Sequence, residues 1–143
     1  MPSPVSLSDY QALAEVRYRI RRFLVFSEAS ARDVGLEPQQ HQLLLAIRGL
    51  REGANPTIAC LAERLQIQHH SAVELVRRCV DNGLVTKRVS DRDRREVLLE
   101  IAPKGRKLLE KLAVAHRTEL RSMAPVLLDA IGTLVDGDLA RAR

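Results

Sequence analysis

The segment from Thr57 to Arg95 constrains the fold of this chain more than any other stretch of it. Its first run, TIACLAERLQ, places Ile58, Leu61, Ala62 and Leu65 at helical spacing, with Thr57 where an N-cap accepts a backbone N–H. So narrow an apolar stripe needs a partner. After the short turn Gln66-Ile67-Gln68, the run HHSAVELVRRCVDNGLV supplies one, with Ala72, Leu75, Val76 and Cys79 on a single face. It ends at Asp81-Asn82-Gly83, and Gly83 stands where a left-handed residue stops a helix. Leu84 to Val89 and Glu96 to Ile101 are then rich in β-branched and apolar residues, and Ser90 to Arg95 between them has the polar composition of a hairpin tip. This order predicts a winged helix-turn-helix: mainly α, with a small β-hairpin wing.

Charge placement points to the use of such a unit. Opposite its apolar stripe the second helix carries His69, His70, Ser71, Glu74, Arg77 and Arg78, groups that a groove-entering helix presents to base edges and phosphates. Taken alone, that face reads as a solvated polar surface, as charged helix faces usually are. The hairpin changes the balance, because Lys87, Arg88, Arg92, Arg94 and Arg95 gather on a unit too small to need them for its own stability. Guanidinium groups on a thin hairpin reach a narrow minor groove or bind phosphates bidentately. Asp91 and Asp93 make sense there as internal partners that hold particular arginines in place. The expected partner is double-stranded DNA.

The same residues give the chain a resemblance to the MarR family of bacterial winged-helix regulators, and it runs over nearly the whole length. The family's pattern before its first core helix pair is met by Leu36-Glu37-Pro38-Gln39-Gln40, followed by Leu43, Leu44 and Ile47. Leu61-Ala62-Glu63-Arg64-Leu65 and Asp81-Asn82-Gly83-Leu84-Val85 match two further segments, and Asp93-Arg94-Arg95, Val97 to Ile101 and Pro103-Lys104-Gly105 match the wing and the helix start after it. Order and spacing carry the likeness; no single motif does. Gln66 departs from the usual turn Gly, Gln68 from a Ser or Thr cap, and Ala102 from a capping Thr. Each departure costs at most about 1 kcal/mol of cap stability. Glu74 occupies a position where the family often has a basic or small polar residue. Its carboxylate either accepts from a cytosine amino group or pairs with Arg77 or Arg78 along the helix.

With 143 residues and 45% hydrophobic content the chain can bury a core while remaining one domain. Its net charge of +5 favours an anionic partner, and on charge alone nucleic acid, an acidic membrane and an acidic protein all stay open. MPSPVSLSDY has no basic region followed by a long apolar segment, and the apolar runs near Phe23 to Phe26 and Leu43 to Ile47 are too short to span a bilayer, so a cytoplasmic protein is expected. Two cysteines make neither a disulfide framework nor a metal pattern; Cys79 falls on the apolar stripe and Cys60 beside it. The family's redox-sensing Cys in the first helix has no counterpart between Met1 and Ala31. No phosphate loop, nucleophile elbow or His-Glu-x-x-His occurs, so neither catalysis nor a cofactor is expected. His69 and His70 are adjacent and diverge on a helix, so no metal site is expected either.

Both ends read as helical. Ser8 with Gln11 forms a capping-box pattern before Leu13, Val16, Ile20, Phe23 and Leu24; a second helix runs from Pro38 to about Leu50. Beyond Pro103 a long helix carries Leu108, Leu109, Leu112, Val114 and Leu120, and Pro125 is expected to open a short apolar helix through Val126, Leu127, Ile131 and Leu134. One domain over 1–143 is thus expected, with a winged-helix lobe at about 36–102 and terminal helices at about 8–34 and 103–136. The resemblance implies that these N- and C-terminal helices dimerise, that the homodimer represses transcription from a pseudo-palindromic operator, and that a small aromatic or phenolic effector releases it. Arg17, Arg21 and His41 are the effector contacts it suggests. The rival reading is a helical interaction module that binds an acidic protein through the basic wing.

Overall fold

Capping chemistry sets most of the element boundaries. The computed structural model describes the backbone of residues 4–141 and the side chains of 4–137. Within these, α1 spans Leu7–Asp33, α2 Pro38–Arg48, α3 Ile58–Leu65, α4 His69–Asp81, β1 Val85–Val89, β2 Val97–Ile101 and α5 Pro103–Arg141. The helix α1 starts earlier than Ser8 and Gln11 imply. Ser6 N donates to Asp9 Oδ2 at 2.8 Å while Asp9 N donates to Ser6 Oγ at 3.1 Å. A carboxylate is the stronger acceptor, so Ser6 with Asp9 wins over the overlapping Ser8 pattern. Pro38 opens α2, where Glu37 N donates to Gln40 Oε1 at 3.0 Å. Its last residue is Arg48, short of Leu50, and Gly49 forms the cap.

Thr57 caps α3 as expected, its Oγ1 accepting from Cys60 N at 3.1 Å. The turn to α4 places Gln66 at φ 54° and ψ 46°, the left-handed region, where it is the lone non-glycine with positive φ among the described residues. Its side chain offsets part of the strain, with Nε2 donating to Glu63 O at 2.8 Å. Gly83, at φ +70°, ends α4 and lets Leu84 N reach Cys79 O at 2.9 Å. Lys104 adds its ammonium to this helix end, donating from Nζ to Asn82 O at 2.9 Å.

The strands pair antiparallel, Val85 opposite Ile101 and Val89 opposite Val97. Leu99 N also donates to Pro56 O, which ties the loop before α3 to the hairpin. Leu43, Leu44, Leu61, Leu75, Val76, Cys79, Leu84 and Leu99 are buried together, at roughly 1.5–3 kcal/mol for each large side chain removed from water. Ala31 and Leu109 and Leu112 join this core, so the unit extends over Ala29–Ala113 and takes in the end of α1 and the start of α5. Gly105 is required at that start, because an added Cβ would lie 2.3 Å from Leu84 O. The backbones of Leu84 and Gly105 approach closely there.

The described part of Met1–Glu28 with Val114–Arg143 forms the second unit. Here Ala12, Met123 and Ala130 are buried, and His116 Nε2 lies 2.8 Å from Ser27 Oγ with Phe23 and Phe26 edge-on to its ring. The expected helix break at Pro125 is absent: α5 passes through it. Proline removes one backbone bond, to the carbonyl of Arg121, and both residues are exposed, so water can take the freed acceptor.

Candidate DNA-binding face

On α4, His69, His70, Glu74 and Arg77 are exposed and Ser71 is half-buried, while Ala72, Leu75, Val76 and Cys79 are sunk into the core. Arg77 Nε and Nη2 both donate to Glu74 Oε2, at 3.2 and 2.9 Å, and Nη1 donates to Asp81 Oδ2 at 3.1 Å. This hydrogen bond and charge hold the Glu74 carboxyl below its usual range and raise the Arg77 guanidinium in turn. Glu74 thus pairs with Arg77 and not with Arg78. Arg78 turns to the start of α2 instead, its Nε 3.1 Å from Glu37 Oε2 and its Nη2 3.4 Å from Gln39 Oε1. Its role in the lobe is to brace α4 against α2.

The hairpin separates its cations in the same way. Arg88 Nε donates across the strands to Glu100 Oε1 at 2.6 Å, and its Nη1 lies 4.0 Å from Asp91. Asp93 does not hold an arginine side chain as expected. Its Oδ1 accepts from the backbone N of Arg95 at 2.9 Å, because an Asp two residues upstream is placed to close an Asx-turn. Ser90 Oγ accepts from Arg92 N at 3.2 Å in the same tip. The aspartates and Ser90 shape the loop, and among the described residues the side chains of Lys87, Arg92, Arg94 and Arg95 form no ion pair. Four exposed cations are left facing solvent.

Residues 34–96 match the sequence model of the MarR family. The lobe is a MarR family winged helix. No curated protein matches the chain by sequence. Solved structures do. A mutant of S. aureus MepR bound to an oligodeoxyribonucleotide is similar at 16% identity, covering 93% of this chain and 94% of that one with a TM-score of 0.64. AbsC, a MarR family transcriptional regulator from Streptomyces coelicolor, is 17% identical over 99% of this chain and 93% of its own, with a TM-score of 0.69. A probable transcriptional regulator from Pseudomonas aeruginosa is 26% identical over 89% and 92%, with a TM-score of 0.61. The MarR family is one of transcription regulators, not enzymes.

The MarR lobe buries His41, which is 4% exposed, whereas Arg17 and Arg21 are exposed on α1 in the second unit. Cys79 is wholly buried, and that burial pushes its thiol up to about 12; Cys60 is half-buried. No described helix is long and apolar enough to cross a membrane. Among the described residues no three His, Cys, Asp or Glu side chains are placed to hold a metal ion. Three residues of this region stand outside what the sequence predicts for it. Lys104 and Glu100 act across turns of chain that only folding brings together, and no local pattern announces them. Val73, 39% exposed on α4, was detectable as an apolar residue off the stripe.

Proposed function

We propose that this chain is a homodimeric, sequence-specific DNA-binding repressor of transcription that acts in the cytoplasm on a pseudo-palindromic operator. The observation that carries the reading is the sorting of charge: Arg78 and Arg88 are tied to Glu37 and Glu100, while Lys87, Arg92, Arg94 and Arg95 on the hairpin remain unpaired among the described residues. Exposed cations on a thin projection beside an exposed helix suit a duplex, whose phosphates lie on either side of a groove. In this reading α4 enters the major groove with His69, His70, Ser71, Glu74 and Arg77, and the wing arginines bind phosphates or the minor groove. MepR bound to an oligodeoxyribonucleotide, a similar fold, supports it.

Homodimerisation is supported by the second unit, where Leu13, Ile20, Leu24, Val126, Leu128 and Ile131 stay exposed on terminal helices. Two-fold pairing would cover them and would match two half-sites. Arg17 and Arg21 are the cations available there to a small aromatic carboxylate or phenol that releases DNA; His41 serves the core. Selection by the full chain from a random duplex library tests the function. An enriched inverted repeat is expected, and a chain that retains no duplex above background contradicts the proposal.

A further inference from the structure

The exposed face of α4 carries a residue that the fold does not use. Val73 stands in the row of His70, Glu74 and Arg77, while Ala72, Leu75, Val76 and Cys79 already meet the core's needs on this helix. A β-branched side chain slightly disfavours the helix, and Val73, 39% exposed, lies outside the buried core cluster. Beside it, the charges are arranged against phosphate. Arg77 is held between Glu74 and Asp81, so this part of the helix offers DNA two carboxylates and one engaged guanidinium. Both bonds from Arg77 to Glu74 end on Oε2, and among the described residues Oε1 has no hydrogen-bond partner. A fixed, half-used carboxylate and a pair of methyl groups sit side by side.

In the major groove each of these groups has one well-matched partner. A carboxylate oxygen accepts from the N4 amino group of cytosine, and an apolar side chain packs on the 5-methyl group of thymine. We propose that Val73 and Glu74 read pyrimidine edges, Val73 against a thymine methyl and Glu74 Oε1 against a cytosine amino group, with Arg77 as the positioning residue that holds Glu74. The inference rests on the DNA binding proposed above and adds which bases the helix selects.

The test uses the full chain and the duplex recovered from the random library, with each thymine replaced in turn by deoxyuridine, which lacks only the methyl group. One position per half-site should lose affinity about fourfold, the effect of one buried methyl, and Val73→Ala should abolish that sensitivity. A repeated selection with Glu74→Gln should change one neighbouring base from cytosine to adenine, which an amide reads through N6 and N7. Tolerance of deoxyuridine at every position by the unmodified chain, or an unchanged base preference in Glu74→Gln, overturns the assignment. Both results leave DNA binding intact, whereas a chain that binds no duplex overturns the proposed function and this inference with it.

Discussion

Arg78 and Arg95 carry the same charge in very different surroundings. Arg78 is engaged with Glu37 and Gln39, whereas the Arg95 guanidinium meets no acid among the described residues. Arg95→Ala should therefore weaken binding to all duplexes and reduce the slope of log affinity against log salt by about one. Arg78→Ala should leave that slope in place, and a fluorescence anisotropy titration across salt concentrations separates the two. Cys79 gives a second residue-scale expectation. Its folded thiol is pushed up to about 12 from an ordinary 9.0, so between those values the unfolded chain releases a proton that the folded chain keeps. Its stabilising effect is complete below about pH 8 and falls as pH rises towards 12, by up to about 1.4 kcal/mol per pH unit. Urea denaturation of the protein against Cys79→Ala from pH 8 to 11 should show this extra slope in the protein alone. Residue types at the site were legible where one chain segment sufficed, as with the wing arginines. Asp93 shows the limit, since composition cannot say whether a carboxylate takes a guanidinium or a backbone N–H.

Elements were legible where a local signal has no competitor. Thr57, Pro38 and Gly83 act within a turn of helix, and the elements they bound stand where they place them. Two overlapping signals are harder: Ser6 with Asp9 and Ser8 with Gln11 both read as caps, and acceptor strength decides between them. Pro125 misled for another reason, because a proline's cost depends on whether water can reach the freed carbonyl, which only the folded helix reveals. Gln66 joins the two helices of the DNA-binding pair in a left-handed conformation at some cost. Gln66→Gly should relieve that strain, offset by the lost side-chain bond to Glu63, and leave a net gain of up to about 1 kcal/mol. A rise in the urea midpoint is the expected result, and a fall would mean that the side-chain bond outweighs the strain.

At the scale of the molecule, the lobe buries a continuous core while the second unit leaves Leu13, Ile20, Leu24, Val25, Leu128 and Ile131 exposed. Removing the segment from Pro125 onward should leave a monomeric or aggregating protein by light scattering, with weak binding to an inverted repeat. A single half-site contact is weak, and the second becomes effectively intramolecular only when two lobes are joined. The proposed dimer and the basic wing together suit duplex DNA and not acidic polymers in general. Competition separates the two: the full chain bound to its selected duplex is titrated over a range of salt with poly-glutamate at equal charge. Affinity should fall steeply and linearly with log salt, and poly-glutamate should displace the duplex poorly. Displacement at charge equivalence would contradict this reading.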